Sequence, residues 1–462
     1  MGKKRQHTFN YDLIVIGSGA AGNVAALVAA KSGLTVAIVE SDKLGGSWPN
    51  YTDVPVGAVL KSAILYDRAK KGSAFGLRTA TIGYNFPALK AWKDSAIKAT
   101  GATAGRKYYE SLGIDVFLGL AHFLSPNEIT VNRKHLSAKK FLIATGSSWE
   151  VPAIPGLDAL PYLTPKTALD INRLPKSLLV IGDTTISLEL AQLFSLLGTK
   201  VYYTQSAQSI LPEFDKDVSN MAEKALTRDN KITFLTQTKI VATFKDGNTV
   251  RAILSRGGNE KTLKVDSVLV ADKKTPNIDL GLKNANVLFN KNGIEVDDFF
   301  RTSNKNIYAV GDVLDMKRRP ISTQISLAEG KTAVSNIVNH KKISTNYSSF
   351  PTVLFTHPGI ATVGITERQA KTTKTPYRAR VTNMNEIART TLANYKTGMV
   401  KIITEPDGTI IGGAVISPYA GELINELALA VSSGLNVSVL AESPHAFLTW
   451  GESIRITADK FI

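Results

Sequence analysis

The apolar run Asp12-Leu13-Ile14-Val15-Ile16 passes straight into Gly17-Ser18-Gly19-Ala20-Ala21-Gly22, and few folds accept that junction. Such a run suits a parallel strand buried on both faces. The glycines then have separate tasks: Gly17 allows a tight turn, Gly19 lets backbone approach a pyrophosphate, and Gly22 permits close packing of helix on strand. An alanine-rich helix is predicted over 23–31 and a second strand over 35–40, ending in Glu40. That carboxylate is placed to accept hydrogen bonds from a ribose, and the helix N-terminus offers free amides to phosphates. A second unit of the same kind starts at Ser177-Leu178-Leu179-Val180-Ile181-Gly182, continues in a helix over 187–197 and reaches a strand over 200–204. Two βαβ units in one chain predict an α/β fold with two doubly wound nucleotide-binding domains, the second inserted into the first.

With 462 residues the chain exceeds one ordinary core. Hydrophobic residues at 44% and charged residues at 20% describe a globular chain rather than a disordered one. No apolar run is long enough to cross a bilayer, and the start leads into a strand rather than a secretory segment, so a cytoplasmic location is expected. The absence of cysteine removes disulfides, iron-sulfur clusters and thiolate zinc sites; the six histidines are scattered, and no metal site is expected. A net charge of +16 favours anionic partners. The basic runs, however, are as short as Lys3-Lys4-Arg5 and Lys317-Arg318-Arg319, which fits solvated loops better than a nucleic-acid surface.

One loop carries a family resemblance. Gly45-Gly46-Ser47-Trp48-Pro49-Asn50-Tyr51-Thr52-Asp53-Val54-Pro55 resembles the redox loop GGTCxNxGCVPSK of the class I pyridine nucleotide-disulfide oxidoreductases. Dihydrolipoamide dehydrogenase is the nearest type, beside glutathione reductase and mercuric reductase. Trp48 and Asp53 stand at the two cysteine positions and Gly57 at the lysine position. Ala144-Thr145-Gly146 is similar to the family's ATG turn, and Gly311-Asp312 to the GD segment whose aspartate holds the ribityl chain of FAD. The resemblance implies FAD bound by Gly17, Gly19, Ala20, Ala21, Gly22, Glu40, Gly46, Ser47, Thr145, Gly146, Gly311 and Asp312. It also implies a flavin domain in two parts, 1–150 and 277–344, a nucleotide-binding-like domain at 151–276, and a C-terminal α+β dimerisation domain at 345–462. In that last part strands are expected at Val353-Leu354-Phe355 and Val400-Lys401-Ile402-Ile403, and a helix over 421–433. A homodimer follows from the resemblance alone.

The second fingerprint is altered. Gly182-Asp183-Thr184-Thr185-Ile186-Ser187 keeps one glycine of the pattern GxGxxG. A side chain at Thr184 obstructs backbone approach to a pyrophosphate, and Asp183 adds negative charge where phosphates would lie. Gln205 replaces the acidic residue that reads a ribose, Thr185 replaces a tyrosine found in many relatives, and Lys273 stands at a glycine position of the family. These changes oppose NAD(P)H. Two alternatives remain: a fold that has lost its ligand, or a site for another anion through Lys273 and Lys274.

The family pattern HxHPTxxE appears as His445-Ala446-Phe447-Leu448-Thr449-Trp450-Gly451-Glu452. Phe447 takes the place of the catalytic base, the carboxylate Glu452 persists, and His445 reads as structural. Phenylalanine cannot move a proton. Glu189, which in relatives pairs with the loop lysine, cannot pair with Gly57; if buried, it needs a raised pKa or another cation. Neither indole nor carboxylate replaces a thiolate, so disulfide reduction is not expected. Two functions stay open, an FAD-containing oxidoreductase with a reshaped apolar pocket and a non-catalytic FAD-binding scaffold or sensor. The sequence names neither the electron donor nor the acceptor.

Overall fold

A computed structural model describes residues 9–78, 81–100, 105–228, 232–315 and 319–462. Lys3-Lys4-Arg5, Lys317 and Arg318 lie outside the described residues. The chain divides into two compact units, one made of 1–55, 94–150 and 274–347, the other of 56–93, 151–273 and 348–462.

In the first unit the strand Tyr11–Ile16 is central. It pairs in parallel with Val36–Glu40 on one side and with Lys134–Ile143 on the other. Ile114–Leu118 extends the sheet beyond Val36–Glu40, and Ile307–Ala309 extends it beyond Lys134–Ile143, again in parallel. The topological switch therefore falls between Tyr11–Ile16 and Lys134–Ile143, at whose carboxyl ends a doubly wound sheet receives its ligand. Leu13, Ile14, Val15, Ile38 and Leu142 are fully buried, because helices cover both faces of such a sheet. The helix Ala20–Lys31 starts three residues before the sequence expectation, since the last residues of the glycine turn already form its first turn. It lies against the helix Thr323–Asn339 so closely that a Cβ on Gly330 would come within 2.3 Å of the Ala21 carbonyl oxygen.

The second unit holds a four-stranded parallel sheet in the spatial order Ile232–Leu235, Lys200–Thr204, Ser177–Ile181, Ser267–Val270. The helix Thr185–Leu196 follows the strand Ser177–Ile181 and is buried along almost its whole length. An antiparallel meander, Lys239–Asp246, Thr249–Arg256 and Asn259–Val265, is inserted before the last parallel strand; the sequence reading had not identified it. The C-terminal part is a five-stranded antiparallel sheet, Thr352–Leu354, Gly359–Gly364, Ile410–Ser417, Met399–Thr404 and Arg378–Asn383, with the helix Ala420–Ser433 on it. The fold is thus α/β with two doubly wound nucleotide-binding sheets and an α+β C-terminal region. Among the described residues no helix is long and apolar enough to cross a membrane.

One buried charge cluster in this unit escaped the sequence reading. Lys401, 1% exposed in the strand Met399–Thr404, reaches Asp215 at 3.0 Å, Asp217 at 2.9 Å and also Glu367. Burial works against the ammonium charge, but the hydrogen bonds it donates to Glu367, Asp217 and Asp215 hold its pKa above the ordinary lysine value. The three carboxylates lie close enough together to hold a metal ion, and the lysine stands among them.

Candidate functional site

The first glycine turn has the geometry of a phosphate cradle. Gly17 adopts φ +102°, and a Cβ there would strike the Ala144 carbonyl oxygen at 2.3 Å. A Cβ on Gly22 would come within 1.9 Å of the Gly17 oxygen. Gly19 differs from both, because a Cβ there would meet no heavy atom within 4 Å. Open space therefore lies in front of Gly19. Behind it the helix Ala20–Lys31 begins with no side chain capping it, so the first amides, at Ala20, Ala21 and Gly22, have no intrahelical acceptor.

Glu40 stands 8% exposed at the end of its strand. One carboxylate oxygen accepts from Ser18 N–H at 2.9 Å and Ser18 Oγ at 2.6 Å; the other accepts from Asp42 N–H at 2.9 Å. Ser18 Oγ in turn accepts from Gly45 N–H at 3.0 Å, which ties the next loop to this corner. Burial, and then the Glu40 charge, push the Tyr109 phenol up to about 12. It stays neutral and donates to Asn23 Oδ1 at 2.9 Å.

Gly46 and Ser47 follow on that loop. A Cβ on Gly46, at φ +71°, would lie 2.6 Å from Gly19 Cα, so the loop is pressed on the cradle. Asn50 Nδ2 fixes it by donating to the Leu44 and Gly46 carbonyls at 3.1 and 2.8 Å. Trp48 sits in the short helix Ser47–Asn50, and its buried indole N–H has no acceptor among the described residues. Asp53 opens the helix Asp53–Lys70 and is exposed. Its carboxylate accepts from Thr52 Oγ1 at 2.9 Å and from Thr323 Oγ1 at 3.3 Å.

Across the switch point, Asn277 clasps the turn at Thr145 and Gly146. Thr145 Oγ1 donates to the Asn277 carbonyl at 2.8 Å, Asn277 Nδ2 donates to the Thr145 carbonyl at 2.8 Å, and Asn277 N–H donates to the Gly146 carbonyl at 3.0 Å. Gly311, at φ +77°, leads into Asp312. The Gly311 amide donates to buried Glu329 at 2.8 Å, Arg319 pairs with that carboxylate and with the Gly311 carbonyl, and Tyr347 OH donates to it at 2.8 Å. Burial raises the Glu329 pKa against the opposing pull of Arg319. Arg319, in the basic run Lys317-Arg318-Arg319, is thus a buried structural cation and no part of a nucleic-acid surface. The open space before Gly19, the uncapped helix and the left-handed turn at Gly311 all suit an elongated dinucleotide such as FAD.

The second turn repeats the layout with the cradle filled. In strand register, Ile181 pairs with Thr204 as Ile16 pairs with Val39, so Gln205 occupies the place of Glu40. Thr184 stands where Gly19 does, and its Oγ1 donates to the Ala271 carbonyl at 2.7 Å. The same hydroxyl caps the helix Thr185–Leu196 by accepting from Ser187 N–H at 3.4 Å, so that amide is engaged. Ser187 Oγ donates to the Thr184 carbonyl at 2.6 Å and meets Tyr203 OH at 2.7 Å, and burial pushes the Tyr203 phenol up. Gln205 is 5% exposed, and neither of its amide atoms has a partner among the described residues. Of the lysine pair 273 and 274, Lys274 lies 3.2 Å from Asp312.

The remaining positions lie in the second unit. Glu189, 7% exposed, accepts from the Phe355 amide at 2.8 Å. Phe447 is 76% exposed, so within this chain it fills no pocket. Glu452 accepts from Leu448 N–H at 2.8 Å at the start of the helix Glu452–Asp459. His445 has a structural place, with Nδ1 on the Ser443 carbonyl at 2.9 Å and Nε2 on Glu426 at 3.0 Å.

Fold and cradle together define an α/β oxidoreductase class built on two nucleotide-binding sheets. Residues 11–330 match the pyridine nucleotide-disulphide oxidoreductase family and residues 350–458 match its dimerisation domain. The chain belongs to this family, whose members bind FAD. Mercuric reductase of Staphylococcus aureus is 33% identical over 457 residues, covering 98% of this chain and 82% of that protein. Dihydrolipoyl dehydrogenase of Geobacillus stearothermophilus is 32% identical over 458 residues, covering 96% and 94%. The HOCl-induced flavoprotein disulfide reductase RclA from Escherichia coli has the same fold, with a TM-score of 0.87 at 24% identity over 97% of this chain and 99% of that one.

Proposed function

We propose that this protein is an FAD-containing oxidoreductase that does not reduce disulfides, with the flavin as its redox group. One observation carries this reading: the family's thiol positions hold Trp48 and Asp53 in a chain without cysteine, while the cradle at Gly17, Gly19 and Gly22 is open and uncapped. Without a thiolate there is no nucleophile for disulfide exchange. When bound, FAD supplies one- and two-electron chemistry that no side chain here provides. The protein's part is to receive the diphosphate on the amides of Ala20, Ala21 and Gly22, to accept ribose hydroxyls at Glu40 and ribityl hydroxyls at Asp312, and to frame the ring with Gly46, Ser47, Thr145 and Gly146. Asp53, at one of the lost thiol positions, is exposed.

NAD(P)H is not expected to serve as donor through the second turn, because Thr184 fills the position that must stay open. That same feature favours a second reading, a non-catalytic FAD-binding scaffold or sensor. We read 1–150 with 277–344 as the flavin domain, 151–276 as the altered nucleotide domain and 345–462 as the dimerisation domain. A homodimer is supported by the matched dimerisation domain and by exposed apolar side chains there, among them Phe355, Leu429 and Phe447.

The test is a paired measurement on the purified protein, namely its flavin absorbance and its turnover of lipoamide and glutathione disulfide. Near-stoichiometric flavin with no disulfide turnover is expected. Disulfide reduction, or a protein that takes up no flavin, would refute the proposal.

A further inference from the structure

Two carboxylates flank the Gly311-Asp312 turn, and each has its own cation. Glu329, behind the turn, is paired with Arg319. Asp312, on the turn, is paired with Lys274, whose ammonium lies 3.2 Å from Oδ2 with the side chains 29% and 17% exposed. Ser147 Oγ donates to the same oxygen at 3.2 Å. Several contacts hold the lysine in place. The strand Lys274–Pro276 pairs antiparallel with Ser147–Trp149, setting Lys274 opposite Trp149, and the ammonium stands 5.1 Å from the centre of that indole ring.

Resting on the reading of the first unit as an FAD site, we infer that Lys274 is a positioning residue of that site: its ammonium holds Asp312 and cancels its charge where an anionic dinucleotide lies. The physical need is plain. A carboxylate is a strong acceptor for ligand hydroxyls, but an uncompensated one repels a diphosphate in the partly desolvated turn. Pairing Asp312 with Lys274 and Glu329 with Arg319 gives each of these two carboxylates an opposite charge. The other carboxylate oxygen of Asp312, Oδ1, has no hydrogen-bond partner among the described residues and remains for a ligand hydroxyl.

The experiment measures FAD release from the holoprotein by flavin fluorescence in wild type, Lys274→Met, Lys274→Arg, Asp312→Asn and the double variant Lys274→Met/Asp312→Asn. Lys274→Met is expected to weaken FAD about tenfold, and Lys274→Arg to stay within about threefold of wild type. In the Asp312→Asn background, Lys274→Met should cost less than about twofold, since no charge is then left to compensate. A purely structural lysine would cost the same in both backgrounds, and that result would overturn the inference. So would unchanged affinity in Lys274→Met. Absence of FAD from the wild type overturns the flavin reading itself, a different failure. Circular dichroism and thermal unfolding check each variant, and Lys274→Gln replaces Lys274→Met if the latter fails to fold.

Discussion

Gly19 and Thr184 hold the same place in two related turns, and the difference between them is a few atoms. Before Gly19 lies free space; at Thr184 a hydroxyl bridges to the Ala271 carbonyl. Gly19→Val should therefore lower flavin content at least about tenfold by putting side-chain atoms where a pyrophosphate approaches, measured as flavin absorbance per protein. The converse change belongs to the second turn. Thr184→Gly with Ser187→Gly reopens it, and nucleotide affinity measured by calorimetry should rise from undetectable to measurable; no gain would mean that the filled turn is not what excludes the ligand. These positions were readable in the sequence because glycine spacing is a local signal. Lys274 stood out only as a candidate anion ligand beside Lys273, and its pairing with Asp312 was not readable. Its partner Asp312 lies 38 residues on, and only the folded sheet brings the two together.

The strands and helices around the glycine turns were the most legible elements, since buried parallel strands are short apolar runs and the turn marks where the helix begins. The strand Lys200–Thr204 matches its expected limits, and the helix Ala420–Ser433 begins one residue early. The meander between Lys239 and Val265 was missed because its strands alternate and carry many charges. Lys401 stood visibly inside an apolar strand, but its three carboxylates come from segments far away in the chain. One element has a pH-dependent anchor. Asp12, at the start of the central strand, accepts from Thr35 N–H at 2.9 Å and Thr35 Oγ1 at 2.8 Å, and pairs with Lys139 at 2.7 Å. The lysine, and then the Thr35 amide, depress its pKa from 3.8 to about 2. A carboxylate depressed in the folded state stabilises it above the unfolded pKa, and that contribution is lost as pH falls. Thermal stability should therefore decline between pH 3.8 and about 2, the decline being smaller in Asp12→Asn; an equal decline in both proteins would refute this anchor.

At the scale of the whole molecule, the family match runs over residues 11–330 and 350–458 in a chain that contains no cysteine. The turn at Gly19 is open and the one at Thr184 is occupied by a bridging hydroxyl, and on the proposed reading the protein holds a flavin and takes no hydride through its second turn. The sequence displayed this contrast directly, since both fingerprints are local; the engaged partners of Thr184, Ser187 and Glu189 needed the fold. The most direct test is an anaerobic titration of the purified protein with NADH, and separately with NADPH, following the flavin absorbance band. A flavin band that neither nucleotide bleaches, while dithionite does, is the predicted result. Rapid bleaching by either nucleotide would contradict the account and show that hydride still reaches the flavin.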